Sequence, residues 1–307
     1  MAVDVYEELR PLMFSIAYRM LGSAAEAEDV VQEAFLRYHR ANEEGEQIES
    51  PRAWLSAVTT RLSIDELRSA RARRETYVGT WLPEPLITES APDAAAHAET
   101  ADSLSLAFLV VLESLSPVER AVFLLHEVFA YGYDEIAETI GKTPENTRQI
   151  AVRARRHLDE RKPRFEADRR RREEIARKFF AAAEEGDTEA FVGMLAADVA
   201  LYGDGGGKAP AIRRPVYGRD RVGKALLGWW KQGRRVRVRF EYAEVSGQPG
   251  AVSRDDEGRI LSVLSVDIAD GQVQAVRSIV NPEKLEHLGP LGDIRGLFAQ
   301  LARRGRA

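Results

Sequence analysis

A glycine-rich stretch that ends in a lysine, YGDGGGKAP at residues 202–210, contains residue types that could bind a phosphate. Consecutive glycines let backbone N–H groups approach an anion, and the lysine adds a positive charge. A P-loop also needs a glycine five residues before Gly207 and a hydroxyl residue after the lysine, but Tyr202 and Ala209 stand there. The spacing therefore excludes a P-loop, and the stretch must have another use.

Length and composition exclude several classes of protein. A chain of 307 residues with 44% hydrophobic residues can bury two or three domain cores. It has no cysteine, which excludes disulfides and thiolate metal sites and suits a reducing cytoplasm. Its N-terminus is charged, and no apolar run approaches the ~20 residues that span a bilayer. We expect a cytoplasmic protein without membrane contact, metal or other cofactor.

The formal net charge of −5 is unevenly distributed along the chain. Residues 23–46 hold seven acidic and two basic residues, whereas residues 141–172 hold twelve basic and five acidic residues. Segments of opposite sign favour an acidic face for a protein partner and a separate face for a polyanion. Alternatively, the two charged segments are helix surfaces that face solvent and bind no partner.

Residues 1–75 are predicted to form a helical domain. Apolar residues recur at three- and four-residue spacing through residues 4–40, with a break at Gly22-Ser23. Ser50 as N-cap and Pro51 as first residue open a third helix. Outside the apolar stripe of the second helix lie Glu26, Asp29, Gln32 and Glu33. Arginines gather on the third helix and its end, at Arg61, Arg68, Arg71, Arg73 and Arg74.

Residues 76–102 have three prolines and no sustained period, which predicts a linker. It contains WLPEP at 81–85, either a docking motif or an aromatic exposed by chance. Residues 103–165 return to helix, and two short helices joined by GKTP at 141–144 have the spacing of a helix-turn-helix. We expect the second of these helices to face DNA. Its candidate DNA-binding residues are Pro144, Glu145, Asn146, Arg148, Gln149, Arg153, Arg155 and Arg156.

Residues 173–280 are predicted to form an α+β domain, followed by a partly helical tail at 281–307. A helix is expected over 173–196, and alternating apolar and polar residues in RVRVRFEYAEV, ILSVLSVDIA and QVQAVRSIV indicate antiparallel strands. Asp270-Gly271 supplies the turn between the last two.

Three blocks of the first half, EAEDVVQEAFLRYHR, PRAWLSAVTTRLSIDELRSARARRE and YDEIAETIGKTPENTRQIAVRARRHL, resemble an extracytoplasmic-function (ECF) sigma factor. WLPEP, DGGGK at 204–208 and NPEKL at 281–285 resemble the sigma-factor group that carries a fused C-terminal SnoaL-like domain, similar to nuclear transport factor. The resemblance implies two all-α sigma domains, the second with the helix-turn-helix, followed by an α+β SnoaL-like domain.

The resemblance also implies a function. It describes an alternative sigma factor that binds RNA polymerase core, recognises and melts promoter DNA, and is regulated in cis without a separate anti-sigma factor. The acidic residues of the second helix would bind polymerase, and the arginines of the third helix would contact the minus-ten element. Many such sigma factors carry asparagine where Arg61 stands, so base selectivity is not transferred. The regulatory contacts would be Trp81, Leu82, Pro83, Glu84, Pro85, Asp204, Gly205, Gly206, Gly207, Lys208, Asn281, Pro282, Glu283, Lys284 and Leu285.

Three alternatives stay open. DGGGK could be an ordinary hairpin turn, and a repressor with one helix-turn-helix would leave the first domain unexplained. The C-terminal domain could instead bind a small molecule or be a cyclase, isomerase or hydrolase, because such folds enclose an apolar pocket. Residues 173–280 contain no histidine, which excludes an Asp-His dyad there but not a lone carboxylate base. The pocket candidates are Tyr202, Asp204, Trp229, Trp230, Tyr242 and Asp267.

Overall fold

The structure is a computed structural model that describes residues 2–88, 101–159 and 168–304, with side chains for 5–69, 76–88, 103–159 and 168–299. The chain divides into two compact units. The first comprises Met1–Thr76 and Phe108–Lys162, and the second comprises Tyr77–Ala107 and Pro163–Ala307. No helix in the described part of the chain is long and apolar enough to cross a membrane.

The first unit begins with three long helices, α1 (Ala2–Leu21), α2 (Ala24–Glu43) and α3 (Pro51–Glu75). Ser23 caps α2 by accepting a hydrogen bond from the Glu26 amide, and Ser50 accepts one from the Ala53 amide at 3.3 Å, as expected for α3. The apolar stripes predicted from spacing are buried, including Ile16 and Met20 of α1 and Val31 of α2.

The short helix α4 (Ala101–Leu104) belongs to the second unit, which also includes the first two residues of α5 (Leu106–Leu112). From Phe108 onwards the first unit continues through α5, α6 (Pro117–Phe123), α7 (Tyr133–Ile140) and α8 (Pro144–Asp159). A capping box at Ser116 and Glu119 opens α6, which continues into a π-helical turn, Leu124–Val128. The buried Arg120 of α6 donates to the Met20 carbonyl of α1 at 2.6 Å and to Glu113 at 2.7 Å. The helices before and after the linker therefore share one core in this unit.

The second unit is an α+β domain, as predicted. Its elements in chain order are α9 (Arg169–Glu185), α10 (Thr188–Gly193), β1 (Leu195–Asp204), β2 (Val216–Tyr217), α11 (Arg219–Arg235), β3 (Arg239–Val245), β4 (Gln248–Arg254), β5 (Ile260–Ala269), β6 (Gln272–Ile279), two short 3-10 helices (Pro282–Lys284 and Glu286–Leu288) and α12 (Ile294–Arg304). The six strands form one sheet in the order β2-β1-β6-β5-β4-β3.

One face of this sheet packs on helices through a mainly aliphatic core that also holds several aromatic rings. Phe179 of α9, Phe191 of α10 and Trp230 of α11 lie in it with Leu264 and Val266 of β5. All strand pairs are antiparallel except β1 with β6. That one parallel pair ends at Asp204 and Ile279, so the segments that follow β1 and β6 begin side by side.

Two details of the sequence prediction for this unit are wrong. The helix expected over 173–196 ends at Gly186, which takes a left-handed conformation, and the chain is already in β1 by Leu195. The strand expected from residue 235 begins only at Arg239, because Arg237 has a positive φ of 58° and 3-10-type bonds end α11 there. Asp270-Gly271 forms the predicted turn, with φ values of 52° and 73°.

Candidate functional site

A buried carboxylate and a buried ammonium meet in the second unit at the ends of the parallel strands. Asp204 is the last residue of β1 and is fully buried, and Lys284 closes the first 3-10 helix after β6 with 7% of its surface exposed. The Lys284 Nζ lies 2.7 Å from Asp204 Oδ2. Buried charges of this kind persist only when they are paired and hydrogen-bonded.

Two further partners of the Asp204 carboxylate come from the linker. Tyr77 Oη donates to Oδ1 at 2.5 Å, and the Leu82 backbone amide donates to Oδ2 at 2.8 Å. Asn281 donates in turn to Tyr77 Oη at 2.9 Å. Burial raises the pKa of Tyr77, and the hydrogen bond to the carboxylate raises it further, so the phenol stays a donor. We call Tyr77, Leu82, Asp204, Asn281 and Lys284 the Asp204 cluster.

Lys284 fixes the same linker segment from its other side. Its ammonium also donates to the Leu82 carbonyl. It lies 4.4 Å from the ring centroid of Trp81 and 4.8 Å from that of Tyr77, within the range of cation–π attraction. One ion pair thus holds both backbone groups of Leu82 and two aromatic rings. Leu82, Pro83, Glu84 and Pro85 are all buried here.

The glycines after Asp204 are required because neighbouring atoms leave no room for a Cβ. A Cβ on Gly205 would lie 2.3 Å from the Ala209 carbonyl oxygen, and one on Gly206 would lie 2.4 Å from Asn281 Nδ2. Gly206 also has a φ of 57°, which side chains disfavour. Lys208 lies at the surface and forms an exposed ion pair with Glu283. The glycines therefore allow the loop to approach the Asp204 cluster closely.

A second contact holds the linker further along. Ile87 pairs with Val245 at the end of β3, the edge strand of the sheet. The Ser246 amide donates to the Leu86 carbonyl at 2.7 Å, and the Thr88 amide donates to the Glu244 carbonyl at 3.0 Å. Residues 86–88 thus extend the sheet edge in the manner of an added strand.

The helix-turn-helix forms as predicted. Gly141 ends α7 in a left-handed conformation, and Thr143 accepts a hydrogen bond from the Asn146 amide at 3.2 Å at the start of α8. Ile150, Ala151 and Ala154 are buried as expected. On the other face of α8 the exposed residues include Glu145, Asn146, Arg148, Gln149, Arg153, Arg155 and Arg156, with Pro144 half-buried. Arg155 forms an ion pair with Glu127.

Only part of the acidic face of α2 is exposed and outside the ion pairs described here. Asp29 and Gln32 are exposed, whereas Glu33 pairs with Arg37 at 2.7 Å and Glu26 is half-buried. Leu36 lies one turn further along the same face with 50% of its surface exposed. Leu36 therefore adds an exposed apolar side chain to this acidic face.

The arginines of α3 differ in their surroundings. Arg61 Nε donates to the Thr139 carbonyl at 2.7 Å, and its Nη2 donates to the Glu138 carbonyl at 3.1 Å. Both carbonyls lie in the last turn of α7. Arg68 is exposed and pairs with Asp65 at 2.9 Å. The side chains of Arg71, Arg73 and Arg74 lie outside the described residues.

An apolar cavity of about 320 Å³ lies between the sheet, α11 and α12. Trp229 and Trp230 line it as predicted, but Tyr202, Asp204, Tyr242 and Asp267 do not. Gly203 lines the cavity, so its neighbours in β1 face the opposite side of the sheet. There Asp267 is paired with the buried Arg277, which lies 5.2 Å from the Tyr202 ring centroid. Tyr242 stacks under Arg177.

Comparison with known proteins identifies the family. The Sigma-70 region 2 family model matches residues 5–73, and the Sigma-70 region 4 model matches residues 105–158. Over its whole length the chain is 38% identical to the ECF RNA polymerase sigma factor SigJ of Mycobacterium tuberculosis, and the match covers 99% of that protein. The chain belongs to the ECF RNA polymerase sigma factors.

Two further matches agree with this assignment. The ECF sigma factor is 34% identical to the probable ECF RNA polymerase sigma factor SigI of M. tuberculosis, over 91% of this chain and 93% of that protein. It is also similar to the crystal structure of M. tuberculosis SigJ, with a TM-score of 0.74 and 36% identity over 94% of this chain and all of the other. Both matches extend well beyond the two sigma regions of this chain.

The protein is therefore an alternative sigma factor that acts in transcription initiation, with RNA polymerase and promoter DNA as partners. Sigma factors are not enzymes. Region 2 of this sigma factor contains α1, α2 and α3, and region 4 contains the helix-turn-helix. The sequence analysis missed three residues that hold the linker, Tyr77, Thr88 and His287. Only Tyr77 could have been noticed, as an aromatic residue close to the WLPEP motif; nothing in the sequence marked Thr88 or His287. His287 donates to the Pro85 carbonyl at 2.8 Å.

Proposed function

We propose that this sigma factor is regulated in cis by its C-terminal domain, which acts by holding the linker between the two sigma regions. The observation that carries this proposal is the Asp204 cluster. It joins all three motifs of the predicted regulatory contact, WLPEP, DGGGK and NPEKL, around one buried ion pair.

The position of the linker in the chain gives this contact its effect. Region 2 ends near residue 73 and region 4 begins near residue 105, so the linker sets how far the two regions can separate. Docking residues 77–88 removes twelve residues of reach from that connection. A tethered domain also binds at high effective concentration, so a modest change in docking shifts the balance between linker states. Regulation of this kind needs no separate anti-sigma factor.

We assign the parts of the chain accordingly. Residues 1–75 bind core polymerase and the minus-ten element, 76–102 form the linker, 103–165 bind the minus-thirty-five element, 173–280 form the regulatory domain and 281–307 its C-terminal tail. The exposed arginines of α8 match a role in the major groove, and the arginines of α3 a role along unpaired DNA. The acidic face of α2, with Leu36, is the polymerase surface.

The regulatory domain works by contact rather than catalysis. Its cavity is lined, within the described residues, by side chains that carry no carboxylate, imidazole, ammonium or guanidinium group. General acid–base chemistry needs such a group within hydrogen-bond reach of the reacting atom. Asp204 and Asp267, the carboxylates that seemed suitable, both form ion pairs on the other face of the sheet.

Truncation tests the regulatory role. A chain that ends at residue 280 lacks Asn281 and Lys284 and should change run-off transcription severalfold at a given promoter, because the linker is released. A chain that ends at residue 172 should show a change of the same sign. If both transcribe like the full chain at every promoter tested while circular dichroism shows folded helices, regulation in cis is excluded.

Charge reversal tests the polymerase surface. Asp29→Lys with Glu33→Lys should weaken binding to core polymerase on the order of tenfold, because both side chains lie outside the buried stripe and steer association by charge. The matched control is Glu44→Lys with Glu46→Lys, the same charge change on exposed residues just beyond α2. Equal binding by both double variants in titrations with labelled core would remove Asp29 and Glu33 from the interface.

A further inference from the structure

A valine lies exposed in the middle of α8. Val152 has 64% of its surface exposed, whereas Ile150, Ala151, Ala154 and Leu158 of the same helix are buried. At about 100° per residue, Val152 points away from the side that these four residues form. Valine is also a poor helix former, because a β-branched side chain loses rotamer freedom in a helix. Neither packing nor helix propensity therefore accounts for a valine at this position.

The residues that surround Val152 on the helix surface are all candidate DNA-binding residues. Residues three and four positions apart are neighbours on a helix. For Val152 these neighbours are Arg148 and Gln149 in the preceding turn and Arg155 and Arg156 in the following turn, and all four are exposed. The valine is therefore an apolar side chain enclosed by basic and polar ones.

Two of these neighbours bond to elements that precede α8. The Arg148 guanidinium lies over the Tyr133 ring, with 5.5 Å between Cζ and the ring centroid, and Arg155 pairs with Glu127 of the π-helical turn. Neither arginine covers Val152, which keeps most of its surface exposed. The methyl groups of the valine are thus accessible to a partner that approaches α8 from solvent.

The position of Val152 matches the geometry by which a recognition helix reads bases. In the homeodomain, the helix in the major groove reads base edges from positions spaced i, i+3, i+4 and i+7. Counted from Glu145, this spacing gives Arg148, Gln149 and Val152. Thymine presents a C5-methyl group in the major groove, and apolar side chains pack against it. Thymine is therefore the base that a valine in this position can recognise.

We propose that Val152 is a specificity-determining residue that selects a thymine in the minus-thirty-five element, through contact between its side chain and the thymine C5-methyl group. The proposal rests on the role of α8 in binding that element. Arg148 and Gln149 can read bases by hydrogen bonds, whereas the valine adds an apolar contact that hydrogen bonds do not supply. The element that this sigma factor prefers therefore contains a thymine among the bases that α8 reads.

Deoxyuridine tests this contact, because it differs from thymidine only in lacking the C5-methyl group. The preferred element is first selected from a randomised duplex library with the full chain bound to RNA polymerase core. Each thymine of the selected element is then replaced by deoxyuridine, one at a time, and affinity is measured by competition at a fixed salt concentration. One replacement should weaken binding about three- to fivefold, as expected when an apolar contact loses one methyl group.

Variants of Val152 assign that loss to this residue. Val152→Ala should bind the thymine and deoxyuridine duplexes equally, because its side chain no longer reaches the methyl group. Alanine is the better helix former, so α8 should stay folded, and the salt dependence of binding should match that of the parent because no charge is removed. Val152→Ile is the conservative control and should keep the loss of about three- to fivefold.

Two other variants separate this proposal from the role of α8 on which it rests. Arg148→Ala and Gln149→Ala should each relax base preference within the selected element. If neither does, α8 does not read the minus-thirty-five element, and both proposals fail. If they do, three results overturn the role of Val152 alone: a selected element without thymine, thymines that all tolerate deoxyuridine, or a Val152→Ala variant that retains the loss seen in the parent.

Discussion

Asp204→Ala should release the linker from the regulatory domain. The substitution removes the acceptor of the Tyr77 hydroxyl and the Leu82 amide, and it leaves Lys284 buried without its carboxylate. Breaking one side of a buried ion pair costs about 3–5 kcal/mol. At about 1.4 kcal/mol for each factor of ten, amide hydrogen exchange across residues 77–88 should accelerate roughly a hundredfold or more.

The surface ion pair of the same two motifs is the matched control. Lys208 and Glu283 pair across DGGGK and NPEKL, but their side chains are 48% and 58% exposed. Exposed pairs contribute about 0–1 kcal/mol, so Lys208→Ala should change exchange at residues 77–88 no more than about fivefold. Equal acceleration by Asp204→Ala and Lys208→Ala would mean that any disturbance of the loop frees the linker, and the buried pair would lose its assigned role.

A double variant separates the charge from the hydrogen bonds. Replacing both partners of a buried ion pair is less harmful than replacing one, because no uncompensated charge remains. Asp204→Asn with Lys284→Met should therefore exchange more slowly at residues 77–88 than Asp204→Ala, and run-off transcription should follow the same order. Additive losses in this double-mutant cycle would show that the two residues act independently.

Periodicity and capping residues predicted the helical elements of this sigma factor well. The stripe of α2, the cap at Ser50 and the turn at Gly141 are all local features, set by a few neighbouring residues. The Asp270-Gly271 turn is equally local. Such elements form from short-range interactions that the sequence displays directly.

Part of the sheet was harder to predict because two of its strands, β4 and β5, are buried on both faces. Residues of β4 and β5 are buried almost without exception, so burial does not follow the apolar and polar alternation of half-buried strands. The sequence analysis predicted β5 from its alternating and β-branched residues but missed β4, which begins with Gln248-Pro249-Gly250. Gly250 is needed there because a Cβ would lie 2.2 Å from the Leu264 carbonyl oxygen. It also missed α11, whose three glycines weaken the helical pattern.

The candidate site was predicted only in outline. Resemblance to a family indicated WLPEP, DGGGK and NPEKL, but it did not indicate that Asp204 pairs with Lys284. That pairing depends on the parallel neighbours β1 and β6, whose contact spans about eighty residues of chain, and no local pattern encodes it. The cavity candidates failed for a related reason. Alternation in β1 put Tyr202 and Asp204 on one face of the sheet and Gly203 on the other.

The DNA contact proposed for Arg61 competes with hydrogen bonds that this residue makes in the structure. Its guanidinium caps the last turn of α7 by donating to the carbonyls of Glu138 and Thr139, where a positive charge also favours the helix end. The same donors cannot serve a promoter strand at the same time. Ser56 and Tyr131 make a second contact nearby, with 2.6 Å between their hydroxyl oxygens. We infer that regions 2 and 4 form a closed arrangement in the first unit, which must open before Arg61 can make the DNA contact proposed for it.

Arg61→Ala should loosen this closed arrangement while impairing promoter melting. Loss of two hydrogen bonds from a charged but exposed donor is expected to cost about 1–2 kcal/mol, which raises the open fraction roughly five- to thirtyfold. Because the chain has no cysteine, Glu43→Cys and Val152→Cys can carry spin labels on α2 and α8 without background. The label separation should lengthen in Arg61→Ala. Core polymerase should bind this variant more tightly, because less free energy is spent on opening. Open complexes should nevertheless form less readily, since the phosphate contact proposed for Arg61 is lost.

Arg68→Ala is the matched control. Arg68 pairs with Asp65 within α3, so its loss should reduce open complexes and leave the label separation unchanged. If Arg61→Ala and Arg68→Ala behaved alike in the distance measurement, Arg61 would not hold regions 2 and 4 together.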